Sequence, residues 1–355
     1  MGNPLSRMGP ARAGRALLLS AAVLAWGAAA WAALPVEQVL TLSLPDKAVR
    51  LATAQCDGQR VVLLQDQGGR RQRPVMRGGL LALEPFGDCA LPDPVARPEL
   101  LDHTAVSVGD GAIAQAWLAV ATLKYRHGVL GSVAEARELR VLDREGEVLR
   151  YPLDDASVFE DRVARLVTLD NRDAVLVVRT RLERGAAAAL FGLAGGPGPD
   201  QRLVLLAESP PIGRPNTWLN PVGVADFDGD GHDDVAVVLT PHAGGTLVVY
   251  RHQGQRLVEK YRTPDVSNHA LYSGEQGMSA ILDVNDDGVP DLIVPDAARR
   301  GLRIVTYAGG RFGEVFKRAH SAEIDSAIGV ADLDDNGRPD IVYTLKDNTL
   351  VVLLR

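Results

Sequence analysis

One acidic nine-residue pattern, which occurs three times in the C-terminal half, constrains this chain more than any other feature. The copies are DFDGDGHDD from Asp226, DVNDDGVPD from Asp283 and DLDDNGRPD from Asp332. Each places oxygen-bearing side chains at positions 1, 3, 5 and 9, and a glycine at position 6. Carboxylates held this close together repel one another. The pattern therefore predicts a bound cation that neutralises them.

Hard cations such as Ca²⁺ take six to eight oxygen ligands at about 2.3–2.6 Å. We predict up to three Ca²⁺ sites, each with side-chain ligands at positions 1, 3, 5 and 9 and a backbone carbonyl at position 7. The predicted ligands are Asp226, Asp228, Asp230, His232 and Asp234 in the first loop, Asp283, Asn285, Asp287, Val289 and Asp291 in the second, and Asp332, Asp334, Asn336, Arg338 and Asp340 in the third, where His232, Val289 and Arg338 contribute carbonyls. The first loop carries the most carboxylates, so we expect it to bind its ion most tightly.

An EF-hand shares the start of this pattern, but it requires a glutamate at position 12 and a helix on each side. Here position 12 is Val237, Val294 or Tyr343, and the residues after the loops (VAVVL, LIV and IVY) are typical of buried strands. The EF-hand interpretation fails. A turn without metal is the remaining alternative, and three copies in register argue against it.

The acidic loops recur after 57 and then 49 residues, and each is followed by a second hairpin signal. Four short strands in a repeat of this length are typical of a β-propeller blade. We therefore predict an all-β propeller of six blades, with seven as the alternative, in units at 46–92, 104–154, 159–211, 215–265, 275–320 and 325–355. The last unit lacks a strand, which would leave an exposed edge, so we expect residues 35–44 to complete it and close the ring.

The loops and the strands that enter them (VGVADFDGDG, SAILDVNDDG and IGVADLDDNG) resemble FG-GAP/VCBS repeats. These repeats form the propellers of integrin α-subunit heads and of many exported bacterial proteins. The resemblance covers 215–355 and weakens over 46–211, where the predicted blades lack a complete acidic loop. It implies a single propeller domain over 33–355, with Ca²⁺ between the first two strands of a blade. It implies no activity, because such repeats serve adhesion, binding and scaffold roles.

Residues 1–32 have the layout of a secretory signal peptide: three arginines, an apolar stretch and an A-x-A cleavage site at residues 30–32. A retained membrane anchor is the alternative. We expect a periplasmic or secreted protein with no membrane insertion after cleavage. In that compartment Cys56 and Cys89 are predicted to form a disulfide, with two buried free thiols as the alternative.

The formal charge of −7 argues against nucleic acid as a partner, and neither an H-E-x-x-H nor a G-x-S-x-G motif occurs. We assign no catalytic residue. The long connections between blades predict a ligand-binding face carrying Trp218, Asn220, His269, Tyr272, Glu275 and Glu323. Solvated linkers with one aromatic side chain tucked under a blade are the alternative. The favoured function is a non-catalytic calcium-binding module for an envelope protein or glycan. The alternative is a polysaccharide lyase or hydrolase that uses Glu275, Glu323, Asp325 and His269.

Overall fold

The chain's secondary structure is almost entirely β. This computed structural model describes residues 35–56, 58–86 and 95–355, in which 25 strands and one three-residue 3-10 turn, Ala308–Gly310, are formed. The prediction of an all-β fold is confirmed. The predicted signal peptide and Cys89 lie outside the described residues, so cleavage and the disulfide of Cys56 stay predictions.

We name six groups of antiparallel strands units I to VI here; units I, V and VI are separate four-stranded sheets, and short edge pairings link units II, III and IV into one 13-stranded sheet. Unit I contains β2 (Ala48–Cys56), β3 (Gln59–Asp66), β4 (Arg71–Arg77) and β5 (Leu80–Pro85). Unit II contains β6 (Ser107–Val108), β7 (Ile113–Thr122), β8 (Glu135–Asp143) and β9 (Val148–Pro152). Unit III contains β11 (Arg165–Leu169), β12 (Arg172–Arg181), β13 (Gly185–Ala194) and β14 (Arg202–Glu208), and the short β10 (Ser157–Phe159) pairs with both β8 and β12.

The three units with acidic loops follow the same plan. Unit IV contains β15 (Leu219–Ala225), β16 (Asp234–Leu239), β17 (Thr246–Gln253) and β18 (Arg256–Pro264). Unit V contains β19 (Ala280–Leu282), β20 (Asp291–Pro295), β21 (Gly301–Thr306) and β22 (Gly313–Ala319). Unit VI contains β23 (Gly329–Ala331), β24 (Asp340–Thr344) and β25 (Thr349–Leu354).

The missing fourth strand of unit VI comes from the other end of the chain. Strand β1 (Gln38–Ser43) pairs antiparallel with β25, with Gln38 opposite Leu354 and Ser43 opposite Thr349. The edge of β25 is therefore covered, as the sequence predicts. This pairing joins the two ends of the described domain.

The second strand of several units is buried on both faces, which explains its unbroken apolar sequence. Because successive side chains of a strand point to opposite faces, Val235 and Val237 of β16 pack against unit III, whereas Ala236 and Val238 pack against unit V. Strands β12, β20 and β24 divide their side chains between two neighbours in the same way. The sheets consequently stack face to face in the order II, III, IV, V, VI, I.

This serial stack is the arrangement from which a propeller is built. In the described part of the chain no hydrophobic cluster joins unit I to unit II, and residues 87–94 between them are not described. Closure of the stack into a ring of blades therefore stays a prediction. The one helical segment of the described residues, Ala308–Gly310, is too short to cross a membrane.

Loss of the β1 contact should destabilise the domain. Leu40 is half-buried against the apolar cluster of units I and VI, whereas the adjacent Thr41 is exposed on the opposite face. We expect Leu40→Ala to lower the free energy of unfolding by about 1–2 kcal/mol, below the full range for a buried leucine. Thr41→Ala, the matched control, should change it by less than about 0.5 kcal/mol. Denaturant unfolding measures both, and equal effects would contradict the role given to β1.

Candidate metal centres

Each acidic loop joins the first and second strands of its unit, in units IV, V and VI. Position 9 is the first residue of the second strand, and it enters the core there. The three position-9 side chains are fully buried: Asp234, Asp291 and Asp340. Because burying a carboxylate without compensation is costly, each loop must provide positive charge or hydrogen-bond donors at this point.

The three loops close in the same way. In each, the position-1 carboxylate accepts hydrogen bonds from the backbone N–H groups of positions 5 and 6. These bonds run from Asp230 and Gly231 to Asp226 (3.1 and 2.7 Å), from Asp287 and Gly288 to Asp283 (3.1 and 2.8 Å), and from Asn336 and Gly337 to Asp332 (3.2 and 2.7 Å). The glycines have φ of +87°, +85° and +84°, which explains the predicted need for glycine at position 6. The loop conformation itself is thus fixed by backbone hydrogen bonds.

Two of the loops gather three carboxylate groups around one point. One oxygen from each of Asp226, Asp228 and Asp230 lies within 4.8 Å of the other two, and the same is true of Asp332, Asp334 and Asp340. No such group of three forms in the second loop, where the amide of Asn285 donates to Asp287 (2.9 Å). The donor set of these loops, carboxylates with amide and carbonyl oxygens, is the set that hard cations prefer.

The carboxylates of the first loop already have positively charged partners. Lys260, on β18, contacts Asp228 and lies 3.0 Å from Asp230. Arg251, on β17, lies 2.5 Å from Asp234 and 2.8 Å from Asp230. The contacts of Lys260 and Arg251 lower the pKa of Asp230 to about 2. The expectation that the first loop binds its ion most tightly is based only on the number of its aspartates. The structure shows that the positively charged side chains of Lys260 and Arg251 lie among them.

The second and third loops have no comparable partners. Among the described residues, no lysine, arginine or histidine side chain forms an ion pair with Asp283, Asp287 or Asp291 of the second loop. The same holds for the three aspartates at positions 1, 3 and 9 of the third loop. Burial, with repulsion from the neighbouring aspartates, raises the pKa of both Asp291 and Asp340 to about 6. One buried oxygen of Asp291 accepts no hydrogen bond, so the second loop has unsatisfied negative charge.

A basic contact joins the second loop to the third. Arg338, whose backbone carbonyl is a predicted ligand in the third loop, donates to Asp286 at position 4 of the second (2.7 Å). Arg355 donates to the same carboxylate (2.8 Å), and its backbone N–H donates to Asp340 (3.0 Å). The acidic pattern does not predict a role for Asp286 or Arg355, because neither occupies one of its ligand positions. By contrast, the side chain of His232 in the first loop is exposed and lies 3.8 Å from Asp170.

Three of the predicted ligand-binding residues are structural. Trp218, Asn220 and His269 are all buried. The indole N–H of Trp218 donates to the carbonyl of Glu160 (2.9 Å), and the amide of Asn220 donates to the carbonyls of Asn268 and Gln276 (3.1 and 3.0 Å). Their donors are used within the protein, so direct contact with a ligand does not fit these positions.

His269, which is buried, pairs with the half-buried His242. Its Nδ1 lies 2.6 Å from Nε2 of His242, and its Nε2 lies 2.8 Å from the carbonyl of Ser273. Burial lowers the pKa of His242 to about 4 and that of His269 to about 3. Both rings are therefore neutral near pH 7, and His269 is not available to a substrate as an acid or base.

The remaining predicted residues lie at or near the surface. Tyr272 is 69% exposed. Glu275 and Asp325 line a cleft of about 440 Å³ together with Lys47 and Arg50. Burial raises the pKa of both Glu275 and Asp325. Glu323 does not line this cleft; it is held by ion pairs with Arg299 (2.8 Å) and Lys346 (2.6 Å). The cleft thus unites two of the predicted polar residues.

A buried polar network, which none of the sequence motifs predicts, lies beside unit III. Asp161 accepts hydrogen bonds from Gln276 (3.0 Å), Arg165 (2.8 Å) and the backbone of Val178 (2.9 Å). Glu160, also buried, lies 2.6 Å from Nδ1 of His127. In the sequence, this network is indicated by the run of charged residues 160–162 that directly follows β10. These contacts tie the connections of units III, IV and V together.

Comparison with known proteins agrees with the repeat motif. The chain matches the sequence model of the FG-GAP-like repeat over residues 283–343. No curated protein matches the chain. Among solved structures, it is similar to one described as "Crystal structure of BBS1N in complex with ARL6DN, soaked with mercury", at 11% identity and a TM-score of 0.38, over 90% of this chain and 98% of the other. The segment that contains the second and third acidic loops is accordingly an FG-GAP-like repeat.

Proposed function

We propose that this protein is an exported, non-catalytic β-propeller that binds Ca²⁺ in its acidic loops and serves as a binding or scaffold module in the cell envelope. The observation that carries the proposal is the buried aspartate at position 9 of the second and third loops, which pairs with no cationic side chain among the described residues. Within the same part of the chain, Asp340 accepts only the backbone N–H groups of Leu333 and Arg355. Asp291 and Asp340 lie at the base of loops whose backbone is already closed by hydrogen bonds. A divalent cation is the simplest source of the missing positive charge.

The proposed ion would be held by residues of the loop alone. In the third loop these are the side chains of Asp332, Asp334, Asn336 and Asp340 and the carbonyl of Arg338. The second loop offers the equivalent atoms of Asp283, Asn285, Asp287, Asp291 and Val289. A bound ion would attach the first strand of a unit to the second and stabilise the stacked sheets, because binding only to the folded state raises stability.

The six stacked units would form the blades of a ring in which unit I also packs on unit II. This arrangement presents the connections between units on the face opposite the acidic loops. The exposed Tyr272 lies on such a connection, next to the cleft lined by Glu275, Asp325, Lys47 and Arg50. An aromatic ring beside mixed charges suits a glycan or a polar peptide, so this cleft is the proposed partner site.

The binding role is favoured over the alternative of a lyase or hydrolase. An enzyme of that kind needs convergent acid and base groups. Only Glu275 and Asp325 of the four candidates line the cleft, because His269 is buried and Glu323 is held by Arg299 and Lys346. The export and the envelope location are proposals that rest on the leader sequence of residues 1–32.

Calcium should stabilise the protein through specific side chains. With Ca²⁺ at about 100 times its Kd, each site adds about 2.7 kcal/mol to the free energy of unfolding. We expect Asp334→Asn to remove the contribution of the third loop. Asp335→Asn is the matched control, since it removes the same charge from the adjacent, non-ligand position, whose φ of +61° asparagine tolerates. Thermal unfolding with Ca²⁺ and with chelator measures both, and equal losses would contradict the ligand assignment.

Calcium binding should weaken in acid. Asp291 and Asp340, with pKa values raised to about 6, must lose their protons before they can bind an ion. Below pH 6 the affinity of each loop should therefore fall by up to about tenfold per pH unit. Titration calorimetry near pH 6, in two buffers with different ionisation enthalpies, should detect released protons. An affinity that does not change between pH 5 and pH 7 would argue against these ligands.

The proposed partner site can be tested by capture from an envelope extract. We expect Tyr272→Ala and Glu275→Gln each to reduce capture by several-fold. Phe312→Ala is the control and should have no effect, because it removes an exposed aromatic ring that does not lie on the connection carrying Tyr272. Breakdown of an envelope polysaccharide by the protein, lost in Glu275→Gln, would instead support the lyase or hydrolase.

A further inference from the structure

We propose that the first acidic loop takes no metal ion, because Lys260 and Arg251 supply its positive charge from within the protein, and that ions are confined to the second and third loops. The inference rests on the proposed calcium function of those two loops. It departs from the expectation, drawn from the acidic pattern, that all three loops bind an ion and that the first binds it most tightly.

Lys260 occupies the place among the carboxylates that an ion would need. Its ammonium group contacts Asp228, lies 3.0 Å from Asp230 and lies 3.9 Å from Asp234. These residues hold positions 3, 5 and 9 of the loop, three of the four side-chain ligand positions. A single ammonium group thus faces most of the predicted coordination sphere.

Two further side chains contact the same carboxylates. Arg251 lies directly opposite Asp234 in the β16–β17 pair and contacts Asp228, Asp230 and Asp234 at 3.5, 2.8 and 2.5 Å. The hydroxyl of Tyr261 donates to Asp228 (2.6 Å). The loop is therefore held by three side chains from the third and fourth strands of its own unit.

The equivalent positions of unit V carry no such groups. The register of the β17–β18 pair shifts at Lys260, which is left without a partner in the opposite strand. The β21–β22 pair has the same shift, and there the residue without a partner is Val315. In the same register, Phe316 of unit V corresponds to Tyr261. Thr306 corresponds to Arg251, because it follows Val305, which pairs with Leu292, and therefore lies opposite Asp291. Two cations and a hydroxyl in unit IV are thus replaced by two apolar side chains and a threonine.

Unit VI shows the same lack of cations. Ile341 pairs with Leu353, so the preceding residue, Asp340, lies opposite Leu354. The fourth strand of this unit is β1, in which all six residues, QVLTLS, are uncharged. Nothing from the third or fourth strand therefore neutralises the third loop, apart from the backbone N–H of Arg355.

The charge balance reverses the order of affinity that the acids alone suggest. Positions 1, 3, 5 and 9 carry four carboxylates in the first loop and three in each of the others. Counted at these four positions alone, Lys260 and Arg251 leave the first loop with a net charge of −2, whereas the other two stay at −3, because Arg338 and Arg355 pair with Asp286 at position 4. Although Asp226, Asp228 and Asp230 lie close enough to share an ion, that ion would lie against the ammonium of Lys260 and be repelled.

The experiment counts bound Ca²⁺ ions. Equilibrium dialysis of the full chain at pH 7 is carried out for the wild type, for Lys260→Met, which keeps the length of the side chain and removes its charge, and for Lys317→Met. Lys317 is an exposed residue of β22 in unit V, so its variant controls for the loss of one positive charge. We expect two ions for the wild type and for Lys317→Met, and three for Lys260→Met.

The outcomes separate this inference from the function on which it rests. Three ions in the wild type, or the same non-zero number in the wild type and Lys260→Met, would overturn the inference and leave the calcium function intact. No ion in any of the proteins would overturn the calcium function, and this inference with it.

A second measurement does not depend on the folding of a variant. Hydrogen exchange of the wild type, with Ca²⁺ and with chelator, reports on each loop separately. Protection should rise at least several-fold in 283–291 and 332–340 when Ca²⁺ is added, and stay unchanged in 226–234. Calcium-dependent protection of 226–234 equal to that of the other loops would overturn the inference.

Discussion

The structure depends on a buried carboxylate at the point where each acidic loop enters the core. Asp234, Asp291 and Asp340 begin strands whose following residues are buried on both faces. An ionised group at such a position is stable only with opposite charge or donors close by. The loop, the neighbouring strands and any bound ion must therefore be considered together, since all of them act on the same oxygen atoms.

The chain meets this constraint in two ways with the same loop backbone. Unit IV uses its own side chains, Lys260 and Arg251, which reach the carboxylates from the third and fourth strands. Units V and VI offer uncharged residues at those positions, so among the described residues no cationic side chain pairs there with the aspartate at position 9. A repeated motif can thus preserve its conformation, which is set by backbone hydrogen bonds to position 1, while its need for metal differs from one copy to the next.

The sequence predicts that polar residues of the connections between units bind a ligand, but several of them join neighbouring units instead. Trp218, Asn220 and Gln276 have the polar groups of a binding site, but their donors are used to join units III, IV and V. Buried polar groups need such partners, so these residues fix the positions of neighbouring sheets. The accessible chemistry is left to Tyr272 and to the cleft that contains Glu275 and Asp325.

The sequence by itself determined the all-β class, the strand after each loop, the role of glycine at position 6 and the pairing of the N-terminal strand with the last unit. Each of these follows from local rules, namely strand periodicity, turn geometry and the need to cover an edge. It did not determine which carboxylates are neutralised internally, although the contrast of EKY at 259–261 with EVF at 314–316 was present in it. Only the tertiary structure decided that, because the register shifts of β18 and β22 determine whether a lysine or a valine is placed beside the loop.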